Sequence, residues 1–185
     1  MYCPNCDSEV ESVVRIISET YPVKGEEVTI DASVMFCKCC GNDIWDDELD
    51  ARNLRVAFDV YRYKHKLLMP AEIREIRERY GLSQVAFAKV LGLGDKTITR
   101  YENGSIADTA QNNLIELVRQ PTNFKMLLEK NKSRITEQDY KAACDALDRL
   151  RPSVVYTTKK STTYNAHGGI KYKNVRQFWG DLNYA

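Results

Sequence analysis

Two Cys-x-x-Cys knuckles, Cys3-Pro4-Asn5-Cys6 and Cys37-Lys38-Cys39-Cys40-Gly41, constrain this chain more than any other feature. Each knuckle presents two thiolates on a tight turn, and a pair of knuckles closes a tetrahedral four-cysteine cage around Zn2+. The fold must therefore return residue 37 to the side of residue 6. Five of the six cysteines lie in the first forty residues, with no secretory signal ahead of them, which favours a metal over disulfides. Cys3, Cys6, Cys37 and Cys40 are the expected ligands, because only the Cys37/Cys40 pair keeps the two-residue gap; Cys39 is a spare thiol. Pro4 stiffens the first turn, and Gly41 frees the backbone after the second, where amides can donate to the thiolates. A single iron is the alternative occupant; the helical unit described next makes one structural zinc per chain the preferred reading. Four thiolates leave no position open for water, so the site serves folding rather than catalysis.

The insert between the knuckles carries Val13, Val14, Ile16 and Ile17, then Val28, Ile30, Val34 and Phe36, around the turn signal Pro22-Val23-Lys24-Gly25. This pattern predicts a β-hairpin that brings the knuckles together, giving a zinc-binding module over residues 1–45. Acidic Asp46-Asp47-Glu48 and basic Arg62, Lys64, His65 and Lys66 then bracket a connecting helix from about 46 to 67, within a segment 46–68. His65 belongs to its basic end.

Residues 69–120 read as a DNA-binding helix-turn-helix domain. Pro70 starts a helix through Tyr80 with Ile73, Ile76 and Tyr80 on one side, and Gly81 ends it. In LSQVAFAKVLGLGDKTITRYENG, residues 82–104, Ser83 caps a helix whose apolar face is Val85, Ala88 and Leu91. Ala88 permits a close helix crossing, Gly92 a sharp turn, and Asp95 caps the next helix. Ile98 and Tyr101 point inward, leaving Lys96, Thr97, Thr99, Arg100 and Asn103 outside. Such side chains on a helix suit the major groove, with Ser83 also in the expected DNA interface and Gln84 a candidate phosphate contact. A helix from about 110 to 118 follows, which Pro121 breaks. The additional helices of 121–150 carry Phe124, Met126, Leu127 and Leu128, then a last helix from Thr136 through Tyr140, Ala143, Cys144, Leu147 and Leu150. Lone Cys144 reads as a small buried residue.

The net charge of +1 hides an asymmetry. Residues 1–69 hold 8 basic and 13 acidic side chains, whereas 151–185 hold 6 basic and 1 acidic. Binding to nucleic acid needs a local basic surface rather than a basic protein. No apolar run is long enough to span a bilayer, and no signal peptide is evident, so a soluble, cytoplasmic chain without membrane contact is expected. Neither a Gly-rich phosphate loop nor a nucleophile–base signature points to an enzyme.

With knuckles, connecting helix and helix-turn-helix in that order, the chain resembles the MqsA-type (YgiT-like) antitoxins, which join an N-terminal zinc module to an Xre/Cro-type DNA-binding domain. Pro22-Val23-Lys24-Gly25-Glu26-Glu27, the run Gly92–Gly104 and Asp108–Pro121 carry the likeness most specifically, over roughly residues 1–120. A related group of zinc/helix-turn-helix regulators, some with a Panacea-type (SocA-like) domain, extends it to about 150; no such domain is identifiable after 151. The resemblance implies a module that engages a toxin and a dimer that binds a palindromic operator in its own promoter, a type II toxin-antitoxin repressor. The family's DNA-contacting asparagine and arginine fall on Lys96 and Arg100, so Arg100 matches and Lys96 departs. The alternatives are an interaction module that masks a toxin or host protein with secondary DNA binding, and a stand-alone regulator from a mobile element.

The expected class is thus α+β: a small N-terminal four-cysteine zinc module with a β-hairpin, an all-α Xre/Cro-type domain, and a basic aromatic tail. That tail, residues 151–185, interleaves Tyr156, Tyr164, Tyr172, Phe178, Trp179 and Tyr184 with bases, with candidate strands at Val154–Thr158 and Ile170–Val175 and a turn at His167. It suits nucleic acid, a partner protein, or its own domain.

Overall fold

The computed structural model describes residues 1–150; the tail, with its two expected strands and His167, lies outside them. The fold is α+β, with strands confined to the first 44 residues and helices thereafter. The first knuckle is framed by β1 (Tyr2–Cys3) and β2 (Ser8–Glu9), an antiparallel pair. The long strands β3 (Ser12–Val23) and β4 (Glu26–Cys37) form the hairpin, with β5 (Asp43–Ile44) added beside the end of β4.

The hairpin turn is tighter than the sequence signal. Pro22 and Val23 are strand residues paired with Glu27 and Glu26, so only Lys24 and Gly25 make the loop. Both have positive φ, 51° and 84°, which gives the two-residue connection whose twist matches that of the strands. Pairing then runs without a bulge to Ser12 opposite Cys37. One face of the ribbon packs on the helix that follows: Val23, Val28, Ile30 and Ala32 lie on Ala57, with Tyr21, Phe58 and Tyr61 around them, while on the opposite face Met35 and Cys37 pack in the cysteine cluster. Val14 and Ile16, on the opposite face, stay exposed.

Helix α1 (Asp47–Lys64) covers that inner face. Asp46 caps it by accepting from the amides of Glu48 and Leu49, and the chain leaves it at His65 and Lys66, a turn short of the expected end. Asn53, almost fully buried, accepts from the Ser33 amide and donates to the Ser33 carbonyl, both at 3.0 Å. A side-chain amide thus pairs with β4 as a strand would.

Helices α2 (Pro70–Arg79), α3 (Gln84–Val90), α4 (Thr97–Glu102), α5 (Thr109–Leu117), α6 (Pro121–Lys130) and α7 (Glu137–Leu150) share one core. Its centre is Tyr80 stacked on Phe124 at 3.6 Å between ring centroids, with the Tyr80 hydroxyl donating to the Val118 carbonyl at 2.6 Å. Ile73, Ile76, Phe87, Ala88, Ile98, Ile115 and Leu128 surround this pair.

Local expectations fail at three positions. Val85 is exposed, because α3 turns Ala86, Phe87 and Val90 into the core together with Ala88 and Leu91. Met126 is exposed as well, since Phe124 and Leu128 already set the buried stripe of α6. Asp95 makes no cap: Lys96 holds that position with helical backbone angles, and the Gly94 carbonyl takes the first free amide, that of Thr97. Pro121 ends one helix by starting the next, as the first residue of α6. Among the described residues, no helix is long and apolar enough to cross a membrane.

The hairpin tip rests on the loop between α4 and α5. Ile106 joins the hairpin's apolar cluster, and Lys24 pairs with Asp108 at 3.2 Å. Arg62 of α1 is buried and donates to the Gly104 carbonyl while pairing with Asp59 at 2.7 Å. Burial pulls the Arg62 guanidinium down from its ordinary range, and Asp59 opposes that shift.

Candidate functional site

Hairpin geometry delivers the four thiols to one place. The Sγ atoms of Cys3 and Cys40 are 3.6 Å apart and those of Cys6 and Cys37 are 3.8 Å apart, with all four within 4.8 Å of one another. Tetrahedral Zn–S bonds of about 2.3 Å require sulfurs about 3.8 Å apart, so the donor set has the size a zinc or iron ion needs. Cys3 and Cys37 are buried beside Ile44, Val10 and Met35, while Cys6 and Cys40 are half-buried. Cys39 is exposed and outside the cluster.

The amides that donate to a thiol lie inside the second knuckle. Those of Cys39 and Cys40 reach the Cys37 sulfur at 3.3 and 3.4 Å, whereas the Gly41 amide bonds the Cys37 carbonyl. Gly41 has φ +77°, so its role is to let the chain double back. The backbone of Asn42 lowers the Cys40 thiol to about 6, while a hydrogen bond with Cys40, followed by burial, raises Cys6. A coordinating cation needs these sulfurs as thiolates.

A second constellation lies on α4. Ile98 and Tyr101 are buried, and Lys96, Arg100 and Asn103 are exposed at helical spacing along one face. Thr97 and Thr99 are half-exposed beside them. Ser83 sits at the surface with its hydroxyl accepting from the Ala86 amide at 3.1 Å, the cap read from sequence. Two residues of the expected set, both half-exposed, bond to each other: the Thr99 hydroxyl donates to Gln84 Oε1 at 2.8 Å.

Beneath this face lies a charged cluster that sequence reasoning missed. The Glu102 side chain has no exposed surface. It accepts from Arg77 at 2.6 and 3.0 Å, from Gln84 Nε2 at 2.8 Å and from Arg74 at 3.4 Å. Burial alone would raise its pKa, but the hydrogen bonds from Arg77 and Gln84 outweigh that and hold the carboxyl below its ordinary value. The cue was present: Glu102 follows Ile98 by four residues, and Arg77 follows Ile73 by four, so each charge lies on a core stripe.

The protein-family model for the antitoxin component of the bacterial toxin-antitoxin system, MqsA, matches residues 1–130. A search of curated proteins finds no significant match.

Proposed function

The chain belongs to the MqsA antitoxin family, and from that premise we propose that it is a dimeric, sequence-specific repressor that autoregulates its own operon and neutralises the toxin encoded there. The observation that carries the DNA half is the row Lys96, Arg100 and Asn103, exposed on α4 and at its two caps while Ile98 and Tyr101 anchor the helix against its neighbours. On this reading α3 and α4 form a helix-turn-helix within a DNA-binding domain of residues 69–120, extended by the helices of 121–150. Arg100 reads guanine, Lys96 reads a base or holds phosphate, and Thr97, Thr99, Asn103 and Ser83 complete the interface, with Gln84 behind them bonded to Thr99. Two protomers on a palindromic operator follow from the two-fold symmetry of such sites.

Residues 1–45 form the zinc module, with Zn2+ held by Cys3, Cys6, Cys37 and Cys40 in a purely structural role, and residues 46–68 connect it to the DNA-binding domain. We assign no enzymatic role, since four thiolates would leave no open coordination position, and we place the chain in the cytoplasm. The toxin-facing surface is the outer edge of β3. Among the described residues, β3 is an edge strand: its twelve positions pair with β4, without a bulge, and with no other strand. Open edges of that length recruit a further strand. The acidic balance of residues 1–69 selects a basic partner.

The test uses the full-length chain. It is titrated onto DNA from upstream of its own coding frame and onto a scrambled duplex of equal length, at matched salt. Preference for the upstream DNA, with two protomers per duplex, is expected. Equal affinity for both duplexes refutes the repressor.

A further inference from the structure

Thr99, Gln84, Glu102 and Arg77 form an unbroken relay across α4, α3 and α2. Its logic starts from charge. A carboxylate with no exposed surface accepts hydrogen bonds and donates none, so the Gln84 amide must present its NH2 end to Glu102, at 2.8 Å. That choice turns the carbonyl end towards Thr99, whose hydroxyl then has to donate, at 2.8 Å. Arg77, bidentate on Glu102 at 2.6 and 3.0 Å, fixes the carboxylate itself. The orientation of a side chain on the exposed half of α4 is thus set by a charge two links away in the interior.

We propose that Gln84 and Glu102 are positioning residues for sequence discrimination: they hold Thr99 and the exposed face of α4 in one orientation on α3, and do not contact DNA themselves. This rests on the reading of α4 as the DNA-reading helix. It changes the chemistry available at the surface. With its hydrogen committed to Gln84, Thr99 has no donor for a base or a phosphate. It offers a methyl group and a lone pair instead, and the methyl favours an apolar contact such as a thymine methyl.

The experiment starts by letting the full-length chain enrich duplexes from a random-sequence library. The enriched duplex and the unselected pool then serve as the two probes in salt-matched anisotropy titrations of Gln84→Ala, Thr99→Val and the double variant, each checked for folding by circular dichroism. Gln84→Ala should lose on the order of five- to tenfold on the enriched duplex and less than about twofold on the pool, with its salt dependence unchanged. Adding Thr99→Val to it should cost less than about twofold more, since the two act as one unit. Gln84→Met, which fills the same space without the polar ends, should behave as Gln84→Ala. Equal losses on both probes with a shallower salt dependence would make Gln84 a phosphate contact and overturn the proposal. Additive losses, or rescue by Met, would overturn it too. A wild-type chain that enriches nothing fails earlier and differently: it removes the DNA reading itself, and the relay's role with it.

Discussion

The Nε of Arg77 lies 2.6 Å from a carboxylate oxygen of Glu102, whose side chain is wholly enclosed between α2, α3 and α4. Removing one partner of such a pair strands the other charge in the interior. Glu102→Ala should therefore cost about 3 kcal/mol in urea unfolding, well beyond the loss from deleting an exposed ion pair. The same variant measured within about 1 kcal/mol of wild type would show that Arg77 finds water or another acceptor.

The pair also sets an acid limit. Glu102 titrates below its ordinary value of 4.5, so the folded chain binds fewer protons there than the unfolded chain. Its contribution is fully present above the unfolded value and is lost as pH falls through 4.5 towards the lower folded value. Unfolding curves from neutral pH down into the acid range should show this decline in the wild type, and Glu102→Gln should flatten it.

One metal ion per chain is the expected content of the purified protein. Cys40→Ser should lower it and loosen the N-terminal module, because three thiolates remain where four define the cage. Cys39→Ser should leave it unchanged, since that thiol is exposed and outside the cluster. Elemental analysis decides, and equal loss in both variants would defeat the assignment of Cys39 as spare.

Arg100→Ala should weaken binding to the enriched duplex by roughly five- to 150-fold, the range of a lost bidentate contact to guanine of about 1–3 kcal/mol. Binding to random duplex should change little. A common factor on both DNAs would make Arg100 a backbone clamp and move base reading elsewhere on α4.

The open edge of β3 gives a prediction independent of DNA. Asn53 engages both backbone groups of Ser33 on the side away from β3, so the Ser33–Ile16 pair is one whose amides point outward. Two residues on, Ser18 has the same orientation. Ser18→Pro should remove an outward amide while sparing the β3–β4 ladder. Neutralisation of the neighbouring toxin in a growth assay should fall, and DNA binding should not. Unchanged neutralisation would place the toxin on another surface.

Much of this architecture was written in residue spacing. The knuckles named the four clustered cysteines, and Ser83, Gly92, Ile98 and Tyr101 marked a cap, a turn and a buried stripe that α3 and α4 display. What escaped was decided by partners far along the chain. Asn53, Arg62 and Glu102 look like solvent-facing polar residues until Ser33, Gly104 and Arg77 are brought to them, 20, 42 and 25 residues away. Exposure of Val85 and Ile16 was equally illegible, because periodicity shows that a face is apolar but not whether anything covers it.

The Lys24–Gly25 turn has a kinetic consequence for the cysteine cluster. Cys6 and Cys37 are distant in sequence, and a free chain would meet them only by an entropically costly search. An unbulged ribbon shortens that search, because its last pair, Ser12 with Cys37, leaves only the short stretch from Cys6 to Ser12 to close. Pairing that begins at Val23 and Glu26 advances one neighbouring pair at a time to Ser12 and Cys37, each step closing a short loop on the microsecond scale of hairpin formation. A folding order of that kind would let the ion meet a site already gathered, and its arrival would seal a ribbon that zipped from the far end.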